Sequence, residues 1–218
     1  MRRFFTFILF GLLILAFMFK AEAHDEYWKQ RTSLFEVLPI GTEDIVFLGN
    51  SITDGGEFHE LLERPDVKNR GIRSDVIEGV RERLDQVTRW HPSKIFLLIG
   101  INDISHGQTV ESLSDKYEEL VKEIREQSPD TRLYIQSVMP INNSFNRYKA
   151  LKGRENIIPL LNNELKEIAE KNGAVYINLW PALEDSKGRL KKEFTFDGLH
   201  LNGKGYKAWM SIISKYID

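Results

Sequence analysis

The chain has 218 residues, 30 basic and 32 acidic side chains with a formal net charge of −2, and no cysteine. That length suits one domain with a sizeable core, and the even scatter of Lys and Arg leaves no electrostatic footprint for nucleic acid. Without a thiol, disulfides, thiolate catalysis and Cys-ligated metals are all excluded.

The chain opens on Arg2 and Arg3, followed by a largely apolar run at 4–19 and the small-x-small triplet Ala21-Glu22-Ala23. This is the pattern of a secretory signal peptide. Residues 1–23 are therefore expected to be cut away, leaving 24–218 as one domain exported to the periplasm or secreted. The apolar run is shorter than the roughly 20 residues a spanning helix needs, so no stable membrane insertion is expected after cleavage. Removal takes away three basic residues and one acidic residue, leaving 27 against 31, a net −4.

From residue 44 onward, short β-branched apolar runs alternate with longer amphipathic ones, the pattern of a parallel sheet covered by helices. Strands are expected at 44–48, 67–69, 95–99, 133–138 and 175–178. Across 74–90, Ile77, Val80, Leu84 and Val87 recur at helical spacing, with Ser74 placed to cap the helix. At 112–127, Leu113, Tyr117, Leu120, Val121 and Ile124 form one stripe. A helix at 158–172 buries Leu161, Leu165 and Ile168, with Pro159 in its first turn and Gly173 as its stop. A last helix runs over 203–216. The fold class is thus α/β, three layers (α/β/α) around a mostly parallel five-stranded sheet. Ligands in such sheets sit beyond the carboxyl ends of the strands.

Four segments at those ends carry polar groups that could do chemistry. Gly49-Asn50-Ser51 follows the first strand, where a sharp turn can present the Ser51 hydroxyl. Asn69-Arg70-Gly71 follows the second, and a glycine there lets backbone approach a ligand. Gly100-Ile101-Asn102-Asp103 follows the third, with a side-chain amide able to face a developing oxyanion. Near the C-terminus, Asp197 and His200 stand three apart between glycines, so that the carboxylate could hold the imidazole for general-base work. Each segment alone reads more readily as a helix cap, a turn or a surface ion pair. Asp103 fits a residue that orients neighbouring loops. His24, His59, His91 and His106 show no spacing that would complete a metal site.

Together, and in this order, the segments resemble the four blocks of the SGNH hydrolases, the GDSL-type esterases and lipases, whose hallmarks Ser, Gly, Asn and His match Ser51, Gly71, Asn102 and His200. The resemblance spans the chain from about residue 44 to its end. It is nearest to the branch that holds platelet-activating-factor acetylhydrolase-like proteins and sugar O-acetylesterases. One departure stands out: the residue before the serine is usually Asp and here is Asn50; Ile52 in place of Leu is conservative.

The resemblance implies a flavodoxin-like SGNH hydrolase fold and a serine esterase that works through an acyl-enzyme on Ser51. His200 would be the base and Asp197 would orient it. The oxyanion hole would comprise the N–H groups of Ser51 and Gly71 and the side chain of Asn102. No cofactor is implied. With no long apolar insertion to form a lid or an acyl tunnel, short acyl groups are expected, acetyl above all, on a small-molecule or carbohydrate ester such as an acetylated sialic acid, plant glycan or cell-wall sugar. Met139, Ile141, Asn142, Phe145, Trp180 and Pro181 could line the pocket. An O-acetyltransferase on the same fold is an alternative. A non-catalytic glycan-binding module is another, although it would have no need of a nucleophile–base pair.

Overall fold

The computed structural model describes residues 26–218, so the expected signal peptide at 1–23 lies outside the described residues. Two compact units are present, one up to Leu38 and one from Pro39 to Asp218. The described part of the first is helix α1, residues 26–37. Within it the Thr32 hydroxyl donates back to the Trp28 carbonyl at 2.9 Å, and the Arg31 guanidinium lies 4.6 Å from the centre of the Phe35 ring.

The second unit runs in chain order through strand β1 (Ile45–Gly49), short helices α2 (Ser51–Asp54) and α3 (Phe58–Leu61), β2 (Val67–Gly71), α4 (Ile77–Glu82) and α5 (Asp85–Thr88). There follow β3 (Lys94–Leu98), α6 (Ile101–Ser105), α7 (Val110–Gln127), β4 (Arg132–Gln136), α8 (Ile157–Lys171), β5 (Val175–Ile177), α9 (Trp180–Leu183) and α10 (Gly203–Ile213). The five strands are all parallel in the order β2-β1-β3-β4-β5. Every residue of β1 and β3 is buried, which requires helices on both faces of the sheet. The three-layer expectation holds.

One face carries a ladder of rings. Register pairs Phe47 of β1 with Phe96 of β3, and Phe96 with Tyr134 of β4. Their rings stack at 5.0 and 4.5 Å, and Phe58 of α3 extends the stack at 4.1 Å. Trp209 of α10 closes over it edge-on, 6.1 Å from Phe47 and 5.2 Å from Phe58, and is fully buried. Its indole N–H donates to Gln136 Oε1 at 2.7 Å, which satisfies the one polar atom it buries. Truncating Trp209 would cost about 3–5 kcal/mol. The same packing has a functional effect, because α10 begins three residues after His200. Tyr206, one turn earlier on α10, donates its hydroxyl to the Ile52 carbonyl at 2.8 Å and so ties this helix to α2.

The helix expected over 74–90 is two short ones, and Ser74 does not cap it. Ser74 instead adopts the left-handed conformation (φ 62°), and Val76 takes the cap position of α4. The break falls at Arg83, whose amide bonds Val80 at i−3, as Leu84 bonds Arg81, tightening the turn. The physical reason is the Arg83 side chain, drawn inward to Asp75 rather than out to water.

Candidate active site

The order β2-β1-β3 reverses chain direction across the sheet between β1 and β3, and such a switch point opens a crevice at the carboxyl ends of those two strands. Ser51 follows β1 and Asn102 follows β3, so the topology places both at that crevice. Gly49 lets the strands close there: a Cβ on it would fall 2.2 Å from the Leu98 carbonyl oxygen. Asn50 is then the N-cap of α2, accepting the Ile52 amide at 3.1 Å. A cap needs only a side-chain oxygen. Asn50 supplies one without burying a charge, so its departure from the usual Asp leaves the turn intact.

The partner of Ser51 arrives from 149 residues away. Ser51 Oγ lies 2.9 Å from His200 Nε2. A bridge between Thr195 and Leu201 closes the loop that carries the histidine, and the Thr195 hydroxyl accepts the amides of Asp197 and Gly198. Gly198 sits at φ 90°, with room for no Cβ, since one would fall 2.3 Å from the Asn142 carbonyl oxygen. Asp197 Oδ1 accepts the amides of Leu199 and His200 at 2.9 and 2.8 Å, while Oδ2 lies 2.8 Å from His200 Nδ1. Partial burial pushes the Asp197 carboxyl up. The hydrogen bonds from the His200 ring, the Leu199 amide, the Tyr148 hydroxyl and the His200 amide outweigh it and hold the group well below the usual carboxylate range. Asp197 is therefore an anion throughout the neutral range, suited to orienting an imidazole whose Nδ1 carries the proton.

A sequence model of the GDSL-like Lipase/Acylhydrolase family matches residues 47–208. This chain belongs to that family. A candidate platelet activating factor structure from Streptococcus pneumonia is similar at 27% identity and a TM-score of 0.85, over 94% of this chain and 99% of that one. A GDSL-like lipase from Bacteroides thetaiotaomicron shares the fold at 20% identity and a TM-score of 0.75, over 87% and 96% of the two chains. An acetylxylan esterase from Geobacillus stearothermophilus shares it at 18% and 0.66, over 83% and 96%. N-acylneuraminate cytidylyltransferase of Escherichia coli O18:K1:H7 is 29% identical over 179 residues. The match takes in 80% of this chain but only 40% of that larger protein.

On the far side of the crevice, this acylhydrolase holds Asn102 by a side-chain bond to the Asp75 carbonyl at 2.8 Å. The turn between β2 and α4 that carries Asp75 is braced from below. Arg83 reaches Asp75 Oδ2 at 2.9 Å and the Gly49 carbonyl at 3.2 Å, the pair being almost wholly buried. Asp103 is the loop organiser its position suggested: both its oxygens accept the Ile77 amide at 3.3 Å. Burial pushes its carboxyl up to about 6, the nearby Asp75 adding a smaller push in the same direction.

Gly71 departs from its expected role. Its N–H donates to Asn69 Oδ1 at 2.8 Å, which leaves it engaged within the protein rather than offered to a ligand. What the position requires is the absence of a Cβ, which would lie 2.1 Å from the Asp54 amide nitrogen. Asn69 completes the arrangement by donating to the Thr53 and Gly56 carbonyls at 2.7 and 2.8 Å, clamping the end of the nucleophile's helix. Asn69 was visible in the Asn-x-Gly segment, but only its contacts reveal the clamp.

Of the residues expected to line a pocket, Met139, Ile141 and Asn142 are buried. Ile141 and Trp180 border a groove of about 330 Å³ together with Asn143, Ser144, Glu155 and Lys187. Among the described residues, no group of three or more His, Cys, Asp or Glu side chains is arranged to hold a metal ion.

Proposed function

We propose that this acylhydrolase is a serine esterase that removes short acyl groups, chiefly acetyl, from carbohydrate esters. The observation that carries the reading is the 2.9 Å approach of Ser51 Oγ to His200 Nε2, with Asp197 on the other ring nitrogen. Ser51 attacks the ester carbonyl as its proton passes to Nε2. The resulting oxyanion is held by the Ser51 N–H and the Asn102 side-chain amide. A third donor is sought on the turn that Asn102 anchors, at the left-handed Ser74, because the Gly71 amide is engaged elsewhere. His200 then returns its proton to the leaving sugar hydroxyl. In the second half-reaction it takes a proton from water, which attacks the acyl-Ser51 ester, and passes that proton to the departing Ser51 Oγ as the acid is released.

A carbohydrate substrate is supported by the similarity to part of an enzyme that acts on N-acylneuraminate and by the fold shared with an acetylxylan esterase. A short acyl group is supported by the absence of any long apolar insertion. Export is supported by the leader-like segment at 1–23. The test is hydrolysis of O-acetylated sialic acids, xylo-oligosaccharides and cell-wall sugars against esters of longer acids, with a fluorophosphonate probe on the parent and Ser51→Ala. Labelling lost in Ser51→Ala and acetate released faster than longer acids support the reading. A Ser51→Ala protein as active as the parent would sink it.

A further inference from the structure

Tyr148 reaches the histidine from a stretch that none of the four motifs covers. Between β4 and α8 the chain makes two single turns of 3-10 helix, Asn143–Phe145 and Lys149–Leu151, joined through Asn146 at φ 55°. This stretch is fastened at several points. The Asn142 amide donates to the Gly198 carbonyl at 2.7 Å, Asn143 Nδ2 donates to the Leu151 carbonyl at 3.2 Å, and Arg154 donates to the Gln108 carbonyl at 2.7 Å. The Tyr148 ring stands edge-on to His200 at 5.7 Å. Its hydroxyl donates to Asp197 Oδ2 at 2.8 Å and lies 2.9 Å from His200 Nδ1.

Tyr148 Oη, Asp197 Oδ2 and His200 Nδ1 thus form a triangle with sides of 2.8 to 2.9 Å. Only one proton arrangement serves a base whose Nε2 must accept from Ser51. The tyrosine proton points to Oδ2, the Nδ1 proton points to the same oxygen, and a tyrosine lone pair faces the Nδ1–H. Burial, with the Asp197 anion beside it, pushes the phenol well above its ordinary range despite the opposing charge of Arg147, so it keeps its proton throughout. A phenol placed only for packing would not need its oxygen at both partners.

We propose that Tyr148 is a positioning residue of the acyl-transfer site, its hydroxyl fixing the Asp197 carboxylate and sharing its charge while the ring screens the Asp197–His200 bond from water. The inference rests on the esterase reading. Loss of a hydrogen bond to a charged group corresponds to about tenfold or more in an equilibrium, and the effect should fall on kcat because Tyr148 acts through His200 rather than on substrate.

The experiment compares the full chain with Tyr148→Phe, using a short acetate ester and counting active sites by end-point titration with a fluorophosphonate. The expected result is kcat per titrated site down about tenfold with KM unchanged. A variant that matches the parent in kcat per titrated site overturns the proposal, as does a loss explained wholly by fewer titratable sites or one carried by KM alone. A parent chain that takes no label and cleaves no ester overturns the esterase reading itself, and Tyr148's role with it.

Discussion

The side-chain amide of Asn102 donates to the main-chain carbonyl of Asp75 at 2.8 Å, so the loop after β3 holds the turn after β2. One Asn102 hydrogen is engaged this way, which fixes the amide plane and aims the second hydrogen. Asn102→Ala should lower kcat by about 10²–10³, the usual cost of one oxyanion donor, while the fold loses only about 1 kcal/mol. Asn102→Asp should be at least as inactive, since a carboxylate repels the oxyanion and cannot donate to Asp75. Steady-state kinetics with a melting curve checks both. Near-parental turnover from the alanine variant would remove Asn102 from the site.

Arg83 joins two of the site's supports, reaching Asp75 on the β2–α4 turn and the Gly49 carbonyl just before the nucleophile. Arg83→Ala would take the buried cation away from the Asp75 carboxylate, whose side chain is 2% exposed, and should cost about 3–5 kcal/mol. Replacing both residues, as Asp75→Asn with Arg83→Leu, should recover part of that loss because the buried charge goes with its partner. Urea unfolding of the parent and the two variants decides it. A single variant within about 0.5 kcal/mol of the parent would show that the pair braces nothing.

Gly71 separates two explanations of one glycine. If its role is to let the β2 end lie against α2, as the 2.1 Å approach of a Cβ to the Asp54 amide implies, Gly71→Ala must displace backbone. The expected cost is about 1–3 kcal/mol of stability, with activity lost because Ser51 moves with the helix. Were the glycine only an amide donor, alanine would keep that N–H and unfold at the parental urea concentration.

The sheet was legible because burial on both faces leaves an uninterrupted apolar record, as in the Ile-Val-Phe-Leu of β1 and the Ile-Phe-Leu-Leu of β3. Long helices were legible for the matching reason: the stripe of α7 faces the core along its whole length. The region 74–90 was not, because its apolar spacing is helical while Arg83 turns inward for a charge partner that spacing cannot reveal. Ser51, Asn102, Asp197 and His200 stood out as residues placed after the right elements. Tyr148 did not, since its stretch has no periodicity and its partners lie about fifty residues further along the chain. A contact made by folding leaves no local trace.

Asp103 gives the domain a pH dependence of known sign. Burial holds its carboxyl up at about 6, above an ordinary value of 3.8, so between those two pH values the native state keeps a proton that the unfolded chain releases. Stability from this group is therefore greatest in acid and falls as pH rises from about 4 to about 6, by a total on the order of 3 kcal/mol. Asp197 runs the other way: its folded carboxyl is held low, so it stabilises above the ordinary carboxylate range and loses that contribution only in stronger acid. Asp103→Asn keeps an acceptor for the Ile77 amide and removes the titration. Its urea midpoint should therefore stay flatter than the parent's across pH 4 to 6 and exceed it near pH 7. Parallel curves for the two proteins over that window would mean that Asp103 is ionised at no cost, contrary to its burial.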